Sequence, residues 1–410
     1  MRDEFNLARP LMMHIDLNSC FATIEQQARP MLRGKPVAIV NRRTDTTSIV
    51  TASYEAKAKG VKVGMRLREA RLLCPDLIGL ESDPPKYRYV YHRLLDIMND
   101  YSAHVTMKSI DEGVIDFKAA PVQLQQRDLA EIGYEIKRRL KEEIGVWMRC
   151  NVGISTNRFL AKTAAGLHKP DGLDVITADN LREVLGTLKL TDLTGIARHN
   201  EARLNAVGIT TPLEFLDADP VTLEKVVFKS IVGRQWYERL RGWEVDDRDS
   251  PVHRVGRQYV LERFDVPYDE IVQRLHHLAE SVGERLRWQK MVARGVYVYA
   301  KTREHGYWHA SHMSALPFFS NQTIYEVGRQ LFQKAPPEMK EIGLHVYGLE
   351  PAVDGQLSLF QDQVAREQQV TSAIDTINQR FGERTIHSAD TLNTGIYIKQ
   401  KVPFGSTRYL

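Results

Sequence analysis

Two short stretches place acidic side chains at the ends of strand-like apolar runs. Asp16 follows the run at 11–15, and Asp111-Glu112 precedes the run at 113–117. A carboxylate at a buried strand end is costly to desolvate unless a cation neutralises it. Mg²⁺ takes hard oxygen ligands of this kind, so the stretches predict a metal site if the two strands are neighbours. The alternative is that Asp16 caps the following helix and Asp111-Glu112 is a turn.

Composition limits the classes of protein that this chain can be. Its 410 residues are 43% hydrophobic and 26% charged, as in soluble globular proteins of several domains. No apolar run approaches the roughly 18 residues of a membrane span, and the first residues do not resemble a secretory signal. Cys20, Cys74 and Cys150 lie far apart, which predicts reduced thiols in a cytoplasmic protein. The net charge of +4 permits nucleic-acid binding without requiring it.

Hydrophobic periodicity predicts an α+β region up to about residue 175, with a small inserted subdomain. Its strands are expected at 11–15, 36–40, 105–108, 113–117 and 151–155, and its helices at 19–28, 53–59, 67–73, 86–101, 127–143 and 157–166. The side chain of Asn18 or Ser19 is expected to cap the first helix.

The rest of the chain divides into three further parts. Residues 180–245 predict a small all-α domain, and the polar segment 246–251 predicts a linker. A second α+β domain at 252–350 includes strands at 295–300 and 343–347 and helices near 268–287 and 320–334. A helix near 366–380 and an irregular tail follow.

Three cationic or hydroxyl side chains could hold phosphate. Tyr54 and Lys57 are three residues apart, so they share a helix face and could bind a triphosphate. Lys169 precedes Pro170 in a turn and could contact another phosphate oxygen. The alternatives are a solvated lysine-rich helix and an ordinary surface lysine.

Two later regions could contact nucleic acid. The segment around Gly195 and Ala197 resembles a helix-hairpin-helix, whose backbone N–H groups bind DNA phosphate, although a purely structural turn stays open. Residues 252–310 hold ten Lys/Arg against seven Asp/Glu, a modest basic excess. The aromatic residues Tyr297, Tyr299, Tyr307 and Trp308 are expected to be mostly core.

Taken together, these segments resemble the Y-family, or translesion, DNA polymerases, with the UmuC and DinB branches as nearest kin. The resemblance covers about residues 11–360. It depends on the joint order of the segments at 16–22, 51–64, 109–112 and 152–155, followed by Lys169-Pro170.

The resemblance implies an α+β multidomain fold, a polymerase right hand of palm, fingers and thumb with a little-finger domain. The implied parts are palm at 11–23 and 81–175, fingers at 24–80, thumb with helix-hairpin-helix at 176–245, linker at 246–251, little finger at 252–350, and clamp-binding motif with C-terminal tail at 351–410.

The same resemblance assigns roles to individual residues. Asp16, Asp111 and Glu112 match the catalytic metal ligands, with the Leu17 carbonyl completing a site for two Mg²⁺ ions. The positions matching the dNTP-binding site are Phe21, the steric gate against a 2′-hydroxyl, and Thr51, Tyr54, Lys57 and Lys169, which bind the triphosphate. Gly195 and Ala197 match the DNA-binding hairpin, with Ala197 replacing its second glycine.

Several positions depart from the family pattern. Cys20 replaces a common aromatic residue, which suggests a looser pocket beside the sugar. Lys57 replaces a frequent arginine and lacks its bidentate fork. Gly113 replaces a usual alanine. Asn18 is tolerated in UmuC-like members and is not counted as a metal ligand.

The C-terminal part resembles segments that bind partner proteins. Gln356-Leu357-Ser358-Leu359-Phe360 is similar to the peptide with which bacterial polymerases bind the β sliding clamp. Residues 371–382 resemble the UmuC-type C-terminal region, which implies contact with a UmuD-like accessory subunit.

These observations lead to one hypothesis and two rivals. The hypothesis is template-directed incorporation of dNTPs opposite damaged primer-template DNA by two-metal nucleotidyl transfer, with low fidelity and clamp tethering. One rival is a catalytically inactive, clamp-tethered repair scaffold, which the intact acidic residues oppose. The other is a non-enzymatic DNA-binding module, which leaves the carboxylates unexplained.

Overall fold

A computed structural model describes residues 4–42, 44–247, 252–263, 265–302, 304, 306–352, 361–396 and 398, without the side chains of 361–365 and 396. The described residues fall into two compact units, one ending at 247 and the other beginning at 252. Among these residues, every helix is too short or too polar to cross a membrane.

The first unit is a mixture of strands and helices, as the periodicity predicts. Its described strands are β1 (Met12–Leu17), β2 (Val37–Val40), β3 (Ile49–Ala52), β4 (Ile78–Glu81), β5 (Val105–Met107), β6 (Glu112–Asp116), β7 (Cys150–Ser155) and β8 (Leu173–Val175). Its described α-helices are α1 (Cys20–Ala28), α2 (Tyr54–Ala58), α3 (Leu67–Leu73), α4 (Pro84–Asn99), α5 (Val122–Gln126), α6 (Leu129–Glu143), α7 (Arg158–Leu167), α8 (Leu181–Gly186), α9 (Arg198–Asn205), α10 (Pro212–Asp217), α11 (Pro220–Thr222) and α12 (Val232–Leu240).

The central sheet of this unit has the strand order β5-β6-β1-β7-β8. Strand β1 is antiparallel to both β6 and β7, while β7 and β8 run parallel. Strands β2, β3 and β4 form a separate small sheet in the order β3-β2-β4. The strands carrying Asp16 and Glu112 are therefore neighbours, which was the condition for a shared site.

Alternation along β1 decides which side chains reach the site. Met13, Ile15 and Leu17 point into a buried core that also contains residues of α4 and α6. His14 and Asp16 share the opposite face, because successive strand side chains alternate. The polar face of β1 therefore carries the acidic residue.

Helix α7 covers one end of this polar face. At Gly153, an added Cβ would lie 2.0 Å from the Ala161 carbonyl oxygen and 2.2 Å from the Ala165 nitrogen. Only glycine allows β7 and α7 to approach so closely. Helices α8, α9, α10 and α12 pack around Phe215 and Trp236 in a core that includes Phe159 of α7.

The second unit is a four-stranded antiparallel sheet with helices. Its described strands are β9 (Arg254–Val260), β10 (Met291–Thr302), β11 (Tyr307–Phe318) and β12 (Met339–Pro351), in the order β11-β10-β12-β9. Its described α-helices are α13 (Tyr268–Trp288), α14 (Asn321–Phe332) and α15 (Gln361–Phe381). Helices α13 and α14 pack against the sheet through a shared apolar core.

The tyrosines of this sheet differ from expectation. Trp308 packs against the core, but Tyr297 and Tyr299 alternate with buried Val296 and Val298 and point to the face away from the helices. Tyr307 is 55% exposed. The prediction that these aromatic residues are mostly core was wrong for Tyr307, because polar tyrosine tips tolerate a half-solvated sheet face.

The C-terminal segment packs on the second unit. Asp375 of α15 forms a two-pronged ion pair with Arg287 of α13, at 2.7 Å for each oxygen. Further along, Arg384 pairs with Glu280 of the same helix, and Ile398 joins the apolar core. A 3₁₀ segment at Ala389–Ile396 lies between these contacts.

Candidate active site

The predicted carboxylates lie at adjacent strand ends of the central sheet. Asp16 and Glu112 are direct Cα partners in the β1–β6 ladder. Asp111 immediately precedes β6, and its carbonyl accepts a 2.8 Å hydrogen bond from the Leu17 nitrogen. The structure thus places all three acidic residues and Leu17 together.

Two basic side chains hold Glu112. His14 contacts Glu112 Oε2 through Nε2 at 3.1 Å, and Lys162 donates to both carboxylate oxygens at 2.8 and 2.6 Å. Burial of Glu112 opposes ionisation, but these hydrogen bonds outweigh it and lower its pKa to about 2. Glu112 is therefore an anion at neutral pH.

Asp111 has the opposite environment. Burial raises the pKa of its carboxyl, and the charges of Asp16 and Glu112 raise it further, while a hydrogen bond from Ser109 at 2.5 Å opposes the shift. The Asp111 carboxyl is therefore near enough to Asp16 and Glu112 for their charges to disfavour its ionisation. A divalent cation would relieve that repulsion, and one oxygen each of Asp16 and Glu112 lies within 4.8 Å of the other and of a His14 ring nitrogen.

Lys169 and Lys57 converge on the same cluster. Lys169 Nζ donates to Asp16 Oδ2 at 2.6 Å, across 153 residues of sequence. Lys57 Nζ donates to Ser19 Oγ at 2.8 Å and lies 4.8 Å from the centre of the Tyr54 ring. Burial lowers the pKa of Lys57, and the nearby charge of Lys169 lowers it further.

Tyr54 begins helix α2 and faces this cluster. Burial raises its pKa, and the charge of Asp16 adds to the shift, whereas Ser19 and Arg149 oppose it. Its neighbour in sequence, Ser53, caps α2 by accepting from the Ala56 nitrogen at 3.3 Å. The helix face expected from the three-residue spacing is thus turned towards Asp16.

Phe21 is held against a second aromatic ring. It is 2% exposed and stacks on Tyr87 of α4, with ring centroids 4.2 Å apart and an angle of 7° between planes. Tyr87 in turn donates to Glu25 Oε1 at 3.2 Å, and Lys86 pairs with the same carboxylate. Cys20 beside Phe21 is buried, and burial followed by the charges of Asp111 and Asp16 raises its pKa.

The expected cap of helix α1 was wrong. Ser19 occupies the cap position in a left-handed conformation (φ 46°, ψ 44°) and makes no side-chain cap hydrogen bond. Its hydroxyl accepts from Lys57 instead, and the Asn18 amide bonds Asn151 and the turn at 171. Both side chains are committed to tertiary contacts around the site, which the local sequence does not reveal.

The other predicted site residues lie on a strand of the small sheet and in the turn before α9. Thr51 is on β3, opposite Ile39. Gly195, at φ +101°, and Ala197 form the turn before α9, where the Ala197 carbonyl accepts from the nitrogens of Asn200 and Glu201. The motif Gln356–Phe360 lies outside the described residues.

Sequence reasoning missed several residues of the site. His14 was read only as part of an apolar run, yet period-two alternation places it on the Asp16 face. Lys162, Tyr87 and Arg149 also gave no local signal as members of the site. Ser109 lies two residues before Asp111 in the segment 109–112, so the sequence did place it beside the carboxylates.

The basic excess of the second unit is largely neutralised. Arg274 is buried and pairs with Glu262 and Glu270. Arg287, Arg294 and Lys301 each pair with a carboxylate as well, at 2.7, 2.6 and 2.8 Å. The count of Lys and Arg against Asp and Glu at 252–310 therefore overstates the cationic surface of this sheet and its helices.

Comparisons with known proteins agree with this architecture. The impB/mucB/samB family matches residues 15–166, and the C-terminal domain of that family matches residues 254–359. The chain is 34% identical over 394 residues to DNA polymerase IV of Moorella thermoacetica, covering 92% of this chain and 95% of that protein. It is 28% identical to DNA polymerase IV 1 of Bacillus subtilis, covering 93% and 92%.

Solved structures share the fold. A Y-family DNA polymerase chimera matches with a TM-score of 0.69 and 21% identity, covering 83% of this chain and 99% of that one. Dbh DNA polymerase in an insertion ternary complex matches with a TM-score of 0.57, 22% identity and the same coverage. The fold class is thus confirmed as a polymerase right hand with a little-finger domain. The chain belongs to the impB/mucB/samB family, the DinB- and UmuC-like branch of the Y-family DNA-directed DNA polymerases.

Proposed function

We propose that the chain adds dNTPs to a primer end opposite damaged template DNA, with Asp16, Asp111 and Glu112 at the reacting centre. The observation that supports this most is the convergence of these carboxylates with Lys57, Tyr54 and Lys169. Acidic residues could hold cations, and the adjacent basic and hydroxyl groups could hold a triphosphate. A scaffold without activity would not need this combination.

Members of this family use a divalent metal, and the donor set fits Mg²⁺. Carboxylate oxygens of Asp16, Asp111 and Glu112, with the Leu17 carbonyl, would hold two ions. When bound, the ions supply the positive charge that lowers the pKa of the primer 3′-hydroxyl and stabilises the leaving pyrophosphate. Lys162 pairs with Glu112 and Lys169 with Asp16, and this concentration of negative charge supports the proposed metal site.

The other residues would orient the substrate. Lys57, Tyr54, Thr51 and Lys169 would bind the triphosphate, so that the α-phosphorus faces the primer end. The Phe21 ring, fixed by its stack on Tyr87, would abut the sugar and exclude a 2′-hydroxyl. Both tasks are positioning tasks that this chain performs with its own side chains.

The domain roles follow the same proposal. The central sheet with α4, α6 and α7 would be the palm, and residues 24–80 with the small sheet would be the fingers. Residues 176–245 would be the thumb, whose turn at Gly195 and Ala197 would contact DNA phosphate, and 252–350 the little finger. Short fingers enclose the new base pair loosely, which would permit lesion bypass at low fidelity.

The proposed partners are primer-template DNA, dNTP, the β sliding clamp and a UmuD-like accessory subunit. The relatives named DNA polymerase IV support the first two. DNA affinity through phosphate contacts should fall steeply with salt. A cytoplasmic location fits these partners.

The decisive variant is Asp111→Asn, which keeps the side-chain volume and removes the charge. We expect it to lower kcat for primer extension by roughly a thousandfold or more, because charge stabilisation at the reacting centre is lost. DNA affinity should stay at the wild-type value. Asp116→Asn on β6 is the matched control, since an asparagine oxygen can still accept from the Lys118 nitrogen. Extension by Asp111→Asn at the wild-type rate would remove the catalytic assignment.

A further inference from the structure

Two buried asparagine side chains connect β1, the strand that carries Asp16, to the turn that carries Lys169. Asn18 follows β1 and is 2% exposed, and Asn151 on β7 is fully buried. Asn18 Nδ2 donates to Asn151 Oδ1 at 2.9 Å. Neither residue belongs to the proposed set of metal or substrate contacts, so their burial and bonding need another explanation.

Each amide also bonds one end of the turn at 168–172. Asn151 Nδ2 donates to the His168 carbonyl at 3.0 Å, and Asn18 Oδ1 accepts from the Asp171 nitrogen at 2.7 Å. A carbonyl can only accept and a backbone N–H can only donate. The His168 carbonyl and the Asp171 N–H therefore determine which side-chain atom of each asparagine is oxygen and which is nitrogen. The same assignment also satisfies the hydrogen bond between the two asparagines.

Further hydrogen bonds and an ion pair hold the C-terminal end of this turn, at Asp171 and Gly172. The Val152 nitrogen donates to the Gly172 carbonyl at 3.1 Å, and the buried Lys137 ammonium donates to the same carbonyl at 3.3 Å. Lys141 pairs with the Asp171 carboxylate at 3.2 Å. The backbone on both sides of Lys169 is thus held to β7 and α6.

Lys169 is the member of this turn that reaches the site. Its side chain is 37% exposed, and its ammonium lies 2.6 Å from Asp16 Oδ2. The flexible side chain of Lys169 loses conformational entropy when it binds a ligand. A fixed Cα reduces that loss, because fewer conformations remain to be restricted. The Asn18–Asn151 pair fixes the residues that flank that Cα.

We propose that Asn18 and Asn151 are positioning residues that fix the Lys169 turn for triphosphate binding. This inference rests on the proposed function, because it assumes that Lys169 contacts the triphosphate. Asn18 acts here through the turn and contacts neither metal nor substrate. The pair also explains why an amide at position 18 suits this chain, since Asn151 requires a donor there.

The test is a double-mutant cycle between Asn18→Ala and Lys169→Ala, read out in single-nucleotide incorporation. Asn18→Ala should raise the KM for dNTP on the order of tenfold, the size of one lost contact to a charged group, with primer-template Kd unchanged. In the Lys169→Ala background, Asn18→Ala should change that KM by less than about twofold, because the two residues act as a unit.

Ser155→Ala is the matched control. Ser155 is a buried polar residue on the same strand as Asn151, and its hydroxyl donates to the Ile176 carbonyl at 2.7 Å, beyond the Lys169 turn. It should lower thermal stability as Asn18→Ala does and leave the KM for dNTP unchanged. If Asn18→Ala does not fold, Asn151→Ala takes its place in the cycle, since it removes the hydrogen bonds from Asn151 to Asn18 and to the turn.

The outcomes separate this inference from the proposed function. If Lys169→Ala leaves the KM for dNTP unchanged, the triphosphate role of Lys169 is wrong, and the inference is lost with it. If Lys169→Ala raises KM but the effect of Asn18→Ala is the same in both backgrounds, the proposed function stands and the positioning role is wrong. A KM rise of equal size in Ser155→Ala would likewise overturn it.

Discussion

Under the proposed function, sugar selection depends on one aromatic ring, which packs against a second. Phe21 stacks on Tyr87 at 4.2 Å, so removing either ring should widen the pocket. We expect Phe21→Ala to admit ribonucleotides, and Tyr87→Leu to weaken discrimination less, because the phenyl ring remains. The measurement is the ratio of kcat/KM for a dNTP and the matching rNTP.

A tyrosine on the same helix provides the control for that experiment. Tyr89 is 63% exposed, so Tyr89→Ala should leave the ratio unchanged. Unchanged sugar discrimination in Phe21→Ala would refute the gate.

Arg149 supplies a guanidinium beside a site that has lysine at position 57. It directly precedes β7, its carbonyl accepts from the Asn18 nitrogen at 2.9 Å, and strand alternation from Asn151 places it on the Asp16 face. Its charge acts on Tyr54. We expect Arg149→Gln to raise the KM for dNTP on the order of tenfold through loss of a charged contact.

The control for this prediction shares the same aromatic neighbour. Arg33 and Arg149 both lie over the Trp147 ring, at 5.6 and 5.3 Å, but Arg33 bonds the carbonyls of Gln26 and Gln27. Arg33→Gln should leave the KM for dNTP unchanged. Equal effects in both variants would contradict a substrate role for Arg149.

The sequence predicted some single residues of the site and could not predict others, for a physical reason. Asp16 and Asp111-Glu112 were visible because charges beside apolar runs conflict locally. Lys162 and Tyr87 were not, since they lie on amphipathic helices where a lysine or a tyrosine is ordinary. Only tertiary packing brings them to Glu112 and Phe21.

Among whole elements, the periodicity predicted some closely and missed others. Strand β1 and helices α3 and α6 were predicted within one or two residues at most ends. Strands β3, β4 and β8 were not identified: three or four residues carry little alternation, and only β2 and β5 among strands of that length were predicted, at 36–40 and 105–108. The small sheet, which brings Tyr54 to the site, was therefore invisible beyond its strand at 36–40.

Helix α13 and the C-terminal segment meet at a buried histidine. His277 is buried, and its Nδ1 lies 2.7 Å from Thr394 Oγ1, which donates to the Thr391 carbonyl. Burial, followed by the positive charges of Arg384, Arg257, His387 and His276, lowers the pKa of His277 to about 2. The folded state thus keeps this imidazole neutral, whereas the unfolded state protonates it near pH 6.5.

Stability from this contact should be fully present above about pH 6.5 and fall by about 1.4 kcal/mol per pH unit below it, because the unfolded state binds the extra proton. Hydrogen exchange of peptides from α13 and Ala389–Ile396, at about pH 7.5 and about pH 5.5, measures this after correction for the intrinsic rates. His277→Gln should flatten the pH dependence, and His309→Gln on the exposed sheet face should not. The same dependence in His277→Gln and wild type would contradict the assignment.

At the scale of the whole molecule, two compact units divide the work that the proposed function requires. All three acidic residues and the basic side chains that contact them belong to the first unit. The second unit is continuous with the segment that carries Gln356–Phe360. Synthesis and tethering should therefore be separable by mutation.

Replacing Gln356–Phe360 with five Gly and Ser residues keeps the chain length and removes the apolar side chains of Leu357, Leu359 and Phe360. Burial of a leucine or phenylalanine in a partner pocket is worth about 1.5–3 kcal/mol, so their loss should abolish clamp binding. A tether converts rebinding to the primer end into an intramolecular step, so the clamp should lengthen products of wild type only.

Primer extension with and without the clamp measures both activities in the same enzyme. The replaced variant should match wild type in distributive synthesis and lose the increase in product length that the clamp confers. Gln368→Ala, at an exposed position of α15 just beyond the motif, is the control and should respond to the clamp as wild type does. An equal loss of synthesis with and without the clamp would show that the motif supports the polymerase itself, and the tether would have to be abandoned.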